Sequence, residues 1–304
     1  MTRRRLSLLA YIAGWRVVRL LPEPLAYGLF DLIAVVSWRR RGRGVLRLEA
    51  NLARAVPGAT APELRRLSRA GMRSYLRYWC DAFRLPGWSA ERIVGTFRVE
   101  GDEPVRESLS RGRGVVMALS HQGNWDHAGA WSTLDLAKVT TVAERLEPEE
   151  LYARFVAYRE RLGMEILPLT GGDGDLFNVL ADRLRSGGFV PLLADRDLTA
   201  AGVPVRFLGE TARMAAGPAA LALETGAALH PLSIHYERLP AGSPTRWGTH
   251  AIIHPEVPVP VTGDRREQVA AMTQACADAL GAGIAAHPED WHMLQRVFEA
   301  DLRG

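Results

Sequence analysis

From about residue 95 onward, short apolar runs alternate with longer stretches of helical period, and this alternation constrains the fold more than any other feature of the sequence. "TFRVEG" reads as a strand, "DEPVRESLSRG" as a helix and "GVVMALS" as a buried strand. The strands "KVTTVAE" and "MEILPL" flank the helix "EPEELYARFVAYRERLG", and helix "DGDLFNVLADRLRSG" precedes strand "FVPLLAD". The pattern continues through "VPVRFLGE", "AAGPAALALETGA", "LHPLSIHYE" and "THAIIHP", with the Pro/Gly-rich 239–248 as a hairpin loop. Helices are expected at 264–285 and 288–300, packed across the outside. Such alternation predicts an α/β fold: a single domain with a central, mostly parallel sheet flanked by helices and reactive groups at the carboxyl ends of strands.

One such strand end carries "MALSHQGNWDHAGAW", residues 117–131. Ser120 is placed to cap a helix beginning near His121. On a regular helix, positions five apart diverge by about 140°, so His121 and Asp126 cannot share a site if both are helical. If both serve one site, His121 lies before the helix proper, at a corner that Ser120 and Gly123 supply. The same corner exposes backbone N–H groups able to stabilise negative charge.

The chain has 304 residues with 47% hydrophobic and 24% charged, enough apolar material for one large core or two modest ones. Its net charge is +4 and Lys138 is its only lysine, so the basic character is arginine. Arginine suits phosphates, because its planar fork holds two oxygens at once; a GC-rich genome produces the same bias. Cys80 and Cys276 stand far apart in apolar helical contexts and read as buried thiols. At the N-terminus, "LSLLAYIAGW" is followed by Arg16 and Arg19, and "LAYGLFDLIAVVSW" contains Asp31. Neither run reaches the ~18 to 20 apolar residues that span a bilayer. Residues 1–50 are therefore expected to form amphipathic helices lying on an anionic membrane surface, with "WRRRGRGVLR" as a cationic cluster. A core helix with a solvated arginine face is the alternative. The domain proper is then 51–304.

The block "VEGDEPVRESLSRGRGVVMALSHQGNWDHAGAW" resembles the first block of the bacterial lipid A biosynthesis acyltransferase family, membrane acyltransferases marked by His, four residues, then Asp or Glu. The similarity continues through "YRERLGMEILPLTGG", "LADRDLTAAGVPVRFLGETARMAAGPAALALETGAALHPL" and "HPEDWHMLQRVF", about 97 to 300. The last three look nearest to the actinobacterial branch acting on phosphatidylinositol mannosides. The resemblance implies transfer of a long-chain acyl group, typically palmitoyl, from acyl-coenzyme A to a mannose hydroxyl, peripherally at the cytoplasmic face of the plasma membrane. It implies no cofactor, no metal and no nucleic acid, with acyl-CoA as co-substrate.

Carried over residue by residue, the resemblance makes His121 the general base, Asp126 the acid of the signature, and Asp195 in "LADRDLT" the carboxylate that pairs with the histidine. That branch usually has Glu at the last position. Glu144 in "VAERLEP" and Arg159 in "AYRERLG" match polar positions lining the groove, and Arg196 and Asp197 flank the site as either substrate contacts or supports. Histidine titrates near neutral pH and can deprotonate a sugar hydroxyl, and a carboxylate on its other nitrogen fixes the tautomer. An apolar slot of about fifteen methylenes at ~0.8 kcal/mol each supplies on the order of 12 kcal/mol gross. His250 and His254 share a strand face, but no third metal ligand stands at informative spacing. Trp125 and Trp291 read as packing residues. Two other readings stay open: acylation of another lysophospholipid or glycolipid, and a non-catalytic lipid-binding protein of the same fold.

Overall fold

The computed structural model describes residues 17–143, 149–169, 175–197, 199 and 201–302. The described chain opens with three long helices, α1 (Glu23–Arg40), α2 (Arg43–Ala55) and α3 (Ala61–Arg84). Helix α3 begins in a capping box in which Thr60 and Glu63 satisfy each other's backbone. A short α4 (Ala90–Gly95) leads into β1 (Phe97–Glu100), followed by α5 (Glu103–Ser110), β2 (Val115–Leu119) and α6 (Trp125–Asp135). Next come β3 (Thr140–Ala143), α7 (Glu149–Arg161), β4 (Glu165–Pro168), α8 (Leu176–Arg185) and β5 (Phe189–Leu193). The chain ends with β6 (Val203–Phe207), β7 (Glu210–Met214), α9 (Gly217–Thr225), β8 (Ala228–Arg238), β9 (Trp247–Ile253) and α10 (Arg265–Ala286).

The central sheet has the order β1-β9-β8-β2-β5. All its pairings are parallel except the β8–β9 hairpin. All five side chains of β2 are buried, as a parallel strand covered on both faces requires. Val115, Met117 and Leu119 pack toward Trp131 and Phe189, whereas Val116 and Ala118 pack toward Leu180, Leu184 and Leu221. The register pairs Leu119 with Leu193. His121 and Asp195 each follow their strand's last residue by two positions, so the parallel pairing delivers them side by side at one carboxyl edge. Helix α10 is long and apolar enough to cross a membrane by composition, but Met272, Cys276, Leu280 and Ile284 are buried in the protein.

One sequence expectation is corrected here, and the amphipathic helices expected over 1–50, of which 1–16 lie outside the described residues, are not borne out by α1. The segment 288–300 is not a helix: a 3-10 turn at Pro288–Asp290 gives way to extended backbone, and Trp291 forms a β-bridge with Gln122. Its backbone is claimed by that bridge and by Asn51, whose Nδ2 donates to the carbonyls of Met293 (2.8 Å) and Gln295 (2.9 Å). Nor does α1 divide into an apolar and an arginine face. It packs on α3 with small residues and one ring, Ala26, Phe30 and Ala34, while Leu25, Leu29, Leu32, Ile33 and Val36 point outward. The arginines collect at its end, as Arg39, Arg40 and Arg41. Residue 50 falls inside α2, whose Val45, Leu48 and Leu52 are buried.

Candidate active site

Between β2 and α6 the chain makes a corner in which Gln122 N–H donates to Ser120 C=O (2.7 Å) and Gly123 N–H to Asp290 C=O (2.9 Å). Gly123 has φ +63°, and a Cβ there would lie 2.6 Å from the carbonyl oxygen of Ile234. Only glycine fits such a position, where left-handed backbone and close strand contact coincide. The corner displaces the start of α6 by four residues from Ser120, so Ser120 is not the cap. Asn124 takes that role, its side chain accepting from His127 N–H at 3.0 Å. His121 therefore precedes the helix, at the bend, with 36% of its side chain exposed.

The ring Nδ1–H of His121 donates to Asp195 Oδ1 at 2.6 Å. The backbone N–H of His121 and the indole Nε1–H of Trp291 both donate to Asp195 Oδ2, each at 3.0 Å. Asp195 is fully buried. Burial alone would raise its pKa, but the His121 charge and these donors together hold the carboxyl below its usual range. The arrangement fixes the His121 tautomer and leaves Nε2 as the basic nitrogen. Trp125 sets its ring edge-on to His121, with centroids 5.7 Å apart, and packs tilted against Tyr78 at 4.1 Å.

Asp126 faces elsewhere. Its Oδ1 accepts from Arg159 Nε (2.8 Å), and its Oδ2 accepts from Arg159 Nη2 (3.3 Å) and from Tyr78 OH (3.0 Å). Burial works against the guanidinium's charge, yet Asp126 raises the Arg159 pKa above its ordinary value. The signature's two members thus do different work: His121 pairs with Asp195, and Asp126 anchors a half-buried arginine from α7. Arg196, half-buried directly after Asp195, makes no hydrogen bond or ion pair among the described residues. Glu144 lies outside the described residues. His250 and His254 go separate ways, to Arg98, Glu100 and His235 and to Ser233 respectively.

Sequence reasoning missed the support beneath this corner. Asp81 of α3 is buried and accepts from Tyr27 OH, Tyr236 OH and Asn124 Nδ2, so it ties α1, β8 and the α6 cap together. Burial pushes its pKa up to about 6. His292 Nε2–H donates to Ser74 Oγ (2.9 Å), Ser74 donates to Asp290, and Asp290 accepts from Tyr236 N–H (2.8 Å). Burial drives His292 down to about 3, so it stays neutral. Its backbone N–H donates to the carbonyl of His121 at 2.7 Å. The density of polar and aromatic residues in "HPEDWH" was the available signal, read there only as a motif and as packing.

The chain matches the profile of the family described as bacterial lipid A biosynthesis acyltransferase over residues 1–300. It is 48% identical over 296 residues to the phosphatidylinositol mannoside acyltransferase of Mycolicibacterium smegmatis, covering 97% of this chain and 92% of that one. Against the protein of the same name from Mycobacterium tuberculosis (strain CDC 1551 / Oshkosh) it is 46% identical over 297 residues, covering 96% and 89%. The match runs nearly end to end, so the chain belongs to the bacterial lipid A biosynthesis acyltransferase family and is an acyltransferase.

Proposed function

We propose that the enzyme transfers a long-chain acyl group, palmitoyl, from acyl-coenzyme A to a mannose hydroxyl of a phosphatidylinositol mannoside. The observation that carries this reading is the 2.6 Å contact from His121 Nδ1 to buried Asp195, in a chain whose relatives are named phosphatidylinositol mannoside acyltransferase. His121 Nε2 takes the hydroxyl proton as the mannose oxygen attacks the thioester carbonyl. The carbon–sulfur bond then breaks, and the imidazolium returns its proton to the departing thiolate. Asp195 stabilises the imidazolium between these steps. In this reading Arg159 or N–H groups at the start of α6 offset charge on the carbonyl oxygen.

The outward Leu25, Leu29, Leu32, Ile33 and Val36 of α1, beside Arg39, Arg40 and Arg41, support a peripheral position on the anionic, cytoplasmic face of the plasma membrane. The test is to incubate the protein and its His121→Ala variant with labelled palmitoyl-coenzyme A and mannosylated or unmannosylated phosphoinositides, and to identify products by mass spectrometry. The folded variant should lose at least about 10²-fold in transfer while still binding donor. Full-rate transfer by that variant removes His121 from the chemistry, and transfer only to unmannosylated lipid changes the acceptor.

A further inference from the structure

In "SYLRYWCDAFR" Asp81 stands in an aromatic and apolar stretch of α3, and it is buried together with Tyr78, one turn before it. A carboxylate in such a place lowers stability unless donors meet it. Three do, each from a different part of the fold. Tyr27 OH of α1 donates to Oδ1, while Oδ2 accepts from Tyr236 OH of β8 at 2.8 Å and from Asn124 Nδ2 at 3.3 Å. An apolar residue would fill this space at less cost, so what the carboxylate adds is direction.

An ionised carboxylate only accepts, so Asp81 draws the amino side of the Asn124 amide toward itself and leaves Asn124 Oδ1 for the N–H of His127, at 3.0 Å. It thereby sets which way the cap of α6 faces. The next two residues are held by the same face of α3, where Tyr78 packs against the Trp125 ring with centroids 4.1 Å apart and donates to Asp126 at 3.0 Å. Trp125 in turn stands edge-on to His121. Asp81 thus reaches the base through Asn124 and Trp125. At its other oxygen, Tyr27 lies on the inward side of α1 with Ala26 and Phe30, opposite the exposed Leu25, Leu29 and Leu32.

We infer that Asp81 is a positioning residue for acyl transfer and that Tyr27 acts through it, so that the seating of α1 on α3 sets the alignment of Asn124, Trp125 and His121. The role rests on the use of His121 as the base, proposed above. Three variants are compared with the wild type: D81N, Y27F and the double variant Y27F/D81N. Their kcat and KM are measured with palmitoyl-coenzyme A and a phosphatidylinositol mannoside, well below each melting temperature. The His121 ring protons, assigned by their loss in His121→Ala, are followed by NMR. They lie beside Trp125, whose ring current moves them when Trp125 shifts, whereas a loss of stability alone does not.

D81N should lower kcat about 10-fold or more at nearly unchanged KM, because a misplacement of about 1 Å at a reacting group is enough for such a loss. Y27F should lower kcat about 3-fold or more. The double variant should match D81N within about 2-fold, since Tyr27 has no route to the corner once Asp81 is gone. The His121 ring signals should shift in all three. An unchanged kcat in D81N, losses that multiply in the double variant, or ring signals that stay in place each overturn the inference. If D81N does not fold, Y27F keeps Asp81 with its other two donors, and the kcat and His121 signals of that variant decide in the same way. Should the wild-type chain transfer no acyl group to the mannosylated lipid, the proposed function fails, and the ring signals of the variants still test the coupling.

Discussion

Trp291 and His121 meet on one oxygen: the indole N–H of the first and the backbone N–H of the second both donate to Asp195 Oδ2 at 3.0 Å, leaving Oδ1 to the imidazole. The carboxylate is therefore held charged in a place where burial would neutralise it. Each of its donors is a separate handle on the base.

Asp195→Asn should fold and bind donor but lose about 10³-fold or more in turnover, because an amide cannot stabilise the imidazolium and favours the wrong tautomer. Asp195→Glu should be milder. Turnover measured beside a melting curve decides it, and an Asn variant with near-normal turnover moves the orienting role elsewhere.

Trp291→Phe keeps most of the buried ring and removes only the Nε1–H donor. Asp195 then loses one of the bonds that lower its pKa, so the acid limb of the pH–rate profile should move to higher pH, and turnover should fall about 10-fold. A lower melting temperature with an unmoved profile would make Trp291 a packing residue, as the sequence alone suggests.

Gly123→Ala must fit a methyl group 2.6 Å from the carbonyl oxygen of Ile234 while holding φ at +63°. A cost of about 2 kcal/mol or more is expected, read as a lower denaturant midpoint, with turnover reduced as His121 shifts. A variant as stable and active as the parent would show that the corner can relax.

The α/β alternation was legible in local pattern; a corner for His121 was expected only if it shared a site with Asp126, and the pairing of Asp195 with His121 came from the family resemblance. The direct contact between His121 and Asp195 needed the register of β2 against β5, which no local pattern encodes. Ser120 and Asn124 are both capping residues by type, and only the tight turn between them decides for Asn124. The 288–300 segment has helical composition, but its Asp290, Trp291 and His292 each serve a distant partner, and those long-range bonds override propensity. The outward apolar face of α1 was hidden because periodicity does not say which face is covered.

His127 is buried between Ile93 and Thr249, donating from Nε2 to the carbonyl of one and accepting the hydroxyl of the other at Nδ1, both at 2.9 Å. Burial depresses its pKa to about 4. A histidine whose folded pKa lies below its unfolded value contributes stability above about pH 6.5 that is lost as pH falls toward 4. The loss is on the order of 3 kcal/mol. His127→Gln, which keeps one donor and one acceptor, should flatten the melting temperature across that window. An unchanged slope would assign the acid sensitivity to other groups.

Asp126 is buried and Arg159 is only 19% exposed, and each is the other's charge partner. Removing one half of a buried pair strands the other, which typically costs about 3 to 5 kcal/mol, whereas removing both costs far less. Asp126→Asn should therefore lower stability sharply, and the double variant with Arg159→Met should recover most of it, a coupling that a double-mutant cycle reads directly. Transfer activity separates structure from chemistry: if Arg159 also offsets charge at the carbonyl, the double variant regains its melting temperature but not its turnover. Recovery of both would confine the pair to holding α6 against α7. An Asp126→Asn enzyme that melts normally yet is inactive would instead restore Asp126 to the reaction as an acid.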